Sequence, residues 1–264
     1  MSTRIGPAFQ RGRRVIQLHG PRSIVPARRE GERLITQGRV SVDGTIVTEL
    51  GTQVVLGEQV VHVDGKLVEL RPVRWIAMYK PSGYLTTRKD DRDRPTVYSL
   101  LPDGFGELFY VGRLDRLTEG LLIFTNEGET AHRLLHPSNR IPRRYRAEVK
   151  GLAGVVEARR LERGVALEDG LARAEDVRVT TKSPSRQRSG AQITEIHLTL
   201  REGRKREVRR MLDALDLRTM RLIRLSFGPI ELGSLKPGEW RQLTAEEVNA
   251  LRAVVGTRDS DGDT

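Results

Sequence analysis

Residues 112–128 read GRLDRLTEGLLIFTNEG. The run from Leu121 to Phe124 is short and continuously apolar, which predicts a strand buried on both faces. The charged loop ahead of it places Asp115 two residues from Arg113 at the mouth of that strand. A carboxylate so placed can do covalent or acid-base work. It can equally be structural, capping the turn after Leu114 or pairing with a nearby arginine. Spacing alone leaves both readings open.

Working outward, WIAMY at 75–79 is a second buried-strand run, followed by a turn at Lys80, Pro81, Ser82 and Gly83. In TEIHLTL, Ile196, Leu198 and Leu200 alternate with Glu195, His197 and Thr199, the period of a half-buried strand. Gly203 is then expected to open a helix with Val208, Met211, Leu212 and Leu215 on one face. Arg206 and Arg210 would project from the other. No internal repeat is present. Strands and helices mixed in this way predict an α+β fold, its larger domain (71–255) a mixed, mainly antiparallel sheet with flanking helices.

Residues 15–70 have the pattern of a smaller α/β domain. GERLITQGRV reads as a helix with Leu34 and Ile35 inward and Gly38 as its stop. SVDGTIV then predicts a tight hairpin, because Asp43-Gly44 suits a two-residue turn with positive φ; Asp64-Gly65 is a second such pair. Residues 1–14 and 256–264 are expected to be disordered, and KSPSRQRSG (182–190) an exposed loop. The end DSDGDT spaces aspartates in a calcium-loop manner but lacks the closing glutamate, so it reads as a solvated tail.

Charge says what such a protein would meet. The chain has 264 residues, 46 Lys plus Arg against 35 Asp plus Glu, a net charge of +11 and 37% hydrophobic residues. A polyanion is the expected partner and a membrane is not. The positive charge is clumped: residues 1–30 carry +6, residues 131–150 carry +5 and residues 201–225 carry +5, which leaves about −5 on the rest. Such segregation suits phosphate neutralisation better than an evenly mixed solvated surface does. The start MSTRIGPAFQRGRR has no apolar signal core, and no cysteine is present, so disulfides, thiolate catalysis and Cys-ligated metals are excluded. A cytoplasmic protein is expected.

Several machineries are missing from the sequence. There is no G-x-x-x-x-G-K-[ST] loop, G-x-G-x-x-G turn or G-x-S-x-G elbow. His132 and His136 lie one helical turn apart, but no third metal ligand is near; a helix end stopped by Pro137 explains them. No metal and no organic cofactor is implied.

From about residue 25 to 252 the chain resembles the RsuA/RluB branch of the bacterial rRNA pseudouridine synthases. GRLDRLTEGLLIFTNEGE is similar to the family's catalytic-aspartate loop. YKPSGYLTT (79–87), RRYRAEV (143–149), EGRKREVRRM and RLIRLSFGPI (202–230) follow in the family's order. ARREGERLITQGRVSVDG (27–44) resembles the S-four-like RNA-binding domain these enzymes carry, although Gly20, Pro21 and Pro26 make its first helix short or irregular. The resemblance implies isomerisation of a specific uridine in ribosomal RNA. The large subunit is implied by the likeness of EGRKREVRRM to RluB-type members. Asp115 then inherits the catalytic role, Tyr145 the place beside the target uracil, and Arg209 the pairing with the carboxylate. Arg113 would contact the RNA backbone or help evict the base. Further RNA contacts are expected from Lys80, Arg28, Arg29 and Arg39, and from Arg204, Arg206 and Arg210.

The chemistry agrees with what is missing. The bond from ribose to ring nitrogen breaks, the uracil turns, and its fifth carbon bonds to the sugar, with nothing added or lost. A carboxylate can attack the anomeric carbon or take its neighbour's proton, and Tyr145 can help remove the proton from the fifth carbon or pack on the ring. A stacked uridine must be flipped out. A monomer acting on rRNA, naked or in a pre-ribosomal particle, is the expectation. The alternative is a ribosome-assembly factor that keeps the fold and only binds RNA; a base-releasing glycosidase would share the first cleavage.

Overall fold

The computed structural model describes residues 13–15, 28–55, 59–68, 72–182 and 193–256. The expected first helix, the loop 183–190, the DSDGDT tail and the side chains of Arg28 and Arg29 lie outside the described residues. By contacts the chain divides into two units, Met1–Val73 and Arg74–Thr264.

In the first unit β1 (Arg13–Val15) is followed by α1 (Arg28–Thr36), β2 (Val40–Val42), β3 (Thr45–Val47), β4 (Gln53–Val55), β5 (Val61–Val63) and β6 (Lys66–Leu67). Arg13 and Arg14, expected in the disordered end, instead pair antiparallel with β4. The remaining strands form a sheet in the order β3-β2-β5-β6, all antiparallel. Both predicted turns have the left-handed geometry they need, with Asp43 and Gly44 at φ 49° and 81° and Asp64 and Gly65 at 51° and 75°. Leu34 and Ile35 of α1 are buried with Val40, Val42, Val54 and Val63 in a small core.

The second unit contains β7 (Trp75–Lys80), β8 (Phe109–Val111), β9 (Thr118–Thr125), α2 (Gly128–Leu135), β10 (Arg143–Lys150), α3 (Val155–Arg163), β11 (Val165–Leu167), β12 (Gly170–Ala172), β13 (Glu175–Lys182), β14 (Ile193–Leu200), α4 (Glu207–Asp213), β15 (Arg218–Phe227), β16 (Ile230–Glu231), β17 (Trp240–Gln242) and α5 (Ala245–Gly256). Its nine-stranded sheet runs β13-β14-β10-β15-β9-β7-β17, with β16 on β15 and β8 on β9. The fold is α+β. Among the described residues every pairing in this sheet is antiparallel except β15 with β9.

Leu121 to Phe124 are fully buried, as are Ile76 to Met78 on β7. Two of the cores of this unit can be named from the described residues. One joins β7 and β9 to Val97 and Leu108, and the other joins β10, β14 and β15 to α3 and α4. The α4 helix starts at Glu207 and not at Gly203, because Arg206 sits at φ 52° and ends the preceding turn. Its apolar face is as expected, with Val208, Met211 and Leu212 buried and Leu215 just beyond. At the other end α5 runs through Gly256, one residue into the expected tail, and a reciprocal Thr244–Glu247 capping box starts it. No helix among the described residues is long and apolar enough to cross a membrane.

Candidate active site

Asp115 lies on the loop between β8 and β9, half-buried, on a cleft of about 1350 Å³ that Arg113, Tyr145 and Arg206 also line. The loop cannot drift, because each backbone carbonyl from 114 to 118 accepts a hydrogen bond. Leu114 O takes the Thr86 hydroxyl at 2.8 Å, and Asp115 O takes the Thr118 amide at 3.0 Å. Arg116 O takes the Gly83 amide at 2.8 Å. Leu117 O takes Nη2 of Arg209 at 3.1 Å, and Thr118 O takes Nζ of Lys80 at 2.8 Å. Such a clamp holds a carboxylate in one place without using the carboxylate itself.

Lys80 is the inner post of this clamp. Its ammonium is fully buried and also donates to Arg116 O at 3.2 Å and Pro81 O at 3.0 Å, so three N–H donors meet three carbonyls. Burial pushes its pKa down to about 8, while the charges of Glu119 and Asp115 pull it up and that of Arg224 pushes it lower. Lys80, expected from the sequence among the RNA contacts, is instead sealed from solvent and holds the loop from beneath. Lysine at the end of a strand reads as surface from sequence, and only the carbonyls of a loop some 36 residues away make its burial tolerable.

Arg209 has a different first partner from the one expected. It is buried, and its Nη2 donates to the Leu117 carbonyl rather than to the carboxylate, though Arg209 feels the charge of Asp115. Burial lowers its pKa, with the charge of Arg206 acting the same way and that of Asp115 opposing. Arg209 and Lys80 thus place two cations under the Asp115 loop.

Tyr145 is on β10, next to a register shift after Arg144 that re-aims the strand. The expected RNA contacts divide into two sets. Arg113 and Arg206 are exposed on the cleft. Arg210 is engaged by Asp169 in two hydrogen bonds of 2.9 and 2.8 Å, and Arg204 by the Leu171 carbonyl and Glu202, so these two staple α4 to the β11–β12 hairpin. In the first unit, Arg39 is bound to the Asp64 carboxylate, with Nε at 2.7 Å.

Sequence reasoning missed Arg143 and Arg224. Both line the cleft and both are buried, at 9% and 2% exposure. Nothing in a charge count separates them from solvated arginines. The available signal was their place in strands otherwise rich in buried aliphatics, RRYRAEV and RLIRLSF.

Residues 74–214 match the family described as RNA pseudouridylate synthase, and residues 23–60 match the S4 domain. An uncharacterized RNA pseudouridine synthase of Aquifex aeolicus is 41% identical over 235 residues, covering 89% of this chain and 92% of that protein. Ribosomal large subunit pseudouridine synthase B of Bacillus subtilis is 37% identical over 230 residues, covering 87% and 92%. Its Vibrio vulnificus namesake is 42% identical over 239 residues, covering 88% and 72%. Among solved structures, a crystal structure of a pseudouridylate synthase superposes with a TM-score of 0.58 over 85% of this chain and 94% of that one. At 24% identity, that last likeness is one of fold.

Proposed function

The chain belongs to the RNA pseudouridylate synthase family, and on that premise we propose that it converts a specific uridine of large-subunit ribosomal RNA to pseudouridine, with Asp115 as the catalytic carboxylate. The observation that carries this reading is the clamped loop, which holds Asp115 half-buried on a cleft with the cations Lys80 and Arg209 beneath it. A factor that only bound RNA would have no use for a carboxylate immobilised in this way. The large-subunit assignment draws on the relatives from Bacillus subtilis and Vibrio vulnificus, whose names give that substrate.

The reaction conserves atoms. The C1′–N1 bond breaks, the uracil turns, a C1′–C5 bond forms, the proton on C5 leaves and N1 gains one. Asp115 either attacks the anomeric carbon or takes the proton from the carbon beside it, and Tyr145 meets the ring. The uridine must leave its stack, at a cost of roughly a few kcal/mol, offset by phosphate contacts at Arg113 and Arg206 and by contacts in the cleft. The domain at 15–70 supplies further RNA affinity, and the enzyme works as a cytoplasmic monomer.

The test compares pseudouridine maps of ribosomal RNA from cells carrying the wild-type chain and Asp115→Asn. One site is expected to vanish from the map. An unchanged map would reject the enzymatic reading, and loss of a small-subunit site would reject the choice of substrate.

A further inference from the structure

Two buried guanidiniums on the cleft have no task in the reaction as described. Arg143 donates from Nη1 to the Glu202 carbonyl at 2.9 Å, and its guanidinium carbon lies 5.1 Å from the centre of the Phe227 ring. Arg224 lies 5.4 Å from the same ring and donates from Nε to the Leu121 carbonyl at 2.8 Å. Its Nη2 is sealed from solvent and has no aligned acceptor. A charge in that position is costly to bury, and the positive charge of Arg143 adds to the cost. Packing alone would be served better by an aliphatic side chain, so an open buried donor points to a task in the site.

The register shows what Arg224 faces. Tyr145, Arg224 and Gly120 lie in one row across β10, β15 and β9. Directly paired residues on neighbouring strands present their side chains to the same side of the sheet. Gly120 has no side chain to compete, and the Tyr145 phenol is within reach of the guanidinium. A guanidinium only donates, whereas a phenol both donates and accepts. When the two meet, the phenol oxygen is the acceptor and its own O–H must turn to another group.

We propose that Arg224 is a positioning residue for the isomerisation and acts through Tyr145, presenting its open N–H to the phenol oxygen and so fixing where the ring and its hydroxyl lie beside the Asp115 cleft. This rests on the assignment of Asp115 and Tyr145 made above. Asp115 is held through backbone carbonyls and Tyr145 through its own oxygen, so the two groups are placed by independent means.

The experiment is a double-mutant cycle on single-turnover pseudouridine formation, with RNA affinity measured in parallel. Arg224→Met is expected to slow turnover by about ten- to hundred-fold, the worth of one hydrogen bond to a charged group, with RNA affinity unchanged. Arg224→Lys, which keeps the charge with a shorter reach, should recover part of the rate. In a Tyr145→Phe background Arg224→Met should cost nothing further. Equal slowing of the wild-type and Tyr145→Phe proteins, or full turnover in Arg224→Met, would overturn the proposal. Should Arg224→Met fail to fold, the guanidinium nitrogens of unmutated Arg224 are compared by NMR in the wild-type and Tyr145→Phe chains. A changed Nη resonance supports the contact and an identical one overturns it. Full turnover in Tyr145→Phe or Asp115→Asn would instead bring down the underlying site assignment, which keeps the two failures apart.

Discussion

Lys80 gives the site a titration that the reaction itself does not require. Its three donors match the carbonyls of Pro81, Arg116 and Thr118, and a neutral amine has one donor too few. With its pKa held down to about 8 by burial, it loses that donor as pH rises through 8. Turnover is therefore expected to fall by half near pH 8, with RNA affinity less affected. Stability moves the other way: between about 8 and the ordinary lysine value of 10.5 the unfolded chain holds a proton that the folded chain has lost, so this group makes folding more favourable as pH rises across that window. A pH–rate profile checks this, and an alkaline limb that persists in Lys80→Met would assign the effect elsewhere. Arg209→Ala should likewise abolish turnover while RNA binding stays, because it frees the Leu117 carbonyl and removes a cation from beneath Asp115; near-normal turnover would show that Lys80 alone suffices. Of these residues the sequence exposes Asp115, whose loop is a motif, and Arg209, through resemblance. Lys80 and Arg224 stay hidden because a charged strand residue looks solvated until the distant carbonyls that accept its protons are known.

Elements were legible where their pattern is local. The runs at 75–79, 121–124 and 194–200 are strands because a short apolar run or a strict alternation has few other solutions in a domain of this size. The start of α4 was misplaced because Gly203 resembles a helix boundary, whereas the chain waits for the left-handed Arg206. What no local pattern carries is the parallel contact of β9 with β15, formed between segments about a hundred residues apart. Gly120 makes that contact possible. It sits at φ 102°, and a Cβ there would lie 2.2 Å from the Arg224 carbonyl oxygen and 2.7 Å from its nitrogen, both backbone atoms that cannot swing aside. Gly120→Ala is expected to destabilise the fold by about 2–5 kcal/mol, from backbone strain and overpacking together. In a unit of this size that lowers Tm by about 5–15 °C. A thermal melt within 2 °C or so of wild type would mean that the two strands can part without penalty.

For the molecule as a whole, the sequence announced a polyanion partner through its +11 charge, and three clumps suggested where the polyanion would lie. The fold sorts those clumps in a way no count can. Arg143, Arg209 and Arg224 are internal, and Arg204 and Arg210 are tied to the hairpin beside α4. Arg206 and Lys205 remain exposed on the cleft, with Arg113 across the Asp115 loop. Long-range attraction depends on the total charge, but counterion release depends on the side chains that can reach phosphate. Arg206→Glu separates these two quantities. It leaves the fold alone, since an acidic group at the start of a helix is favourable and Arg206 makes no side-chain cap to lose. RNA affinity should drop and the slope of log affinity against log salt should become shallower by about one. Arg210→Glu, which would set a second carboxylate against Asp169, should break the staple and lower stability more than it changes the salt slope. Equal slopes in the wild type and Arg206→Glu would take the α4 entrance out of the RNA-binding surface. The positive charge would then act on RNA only through its sum.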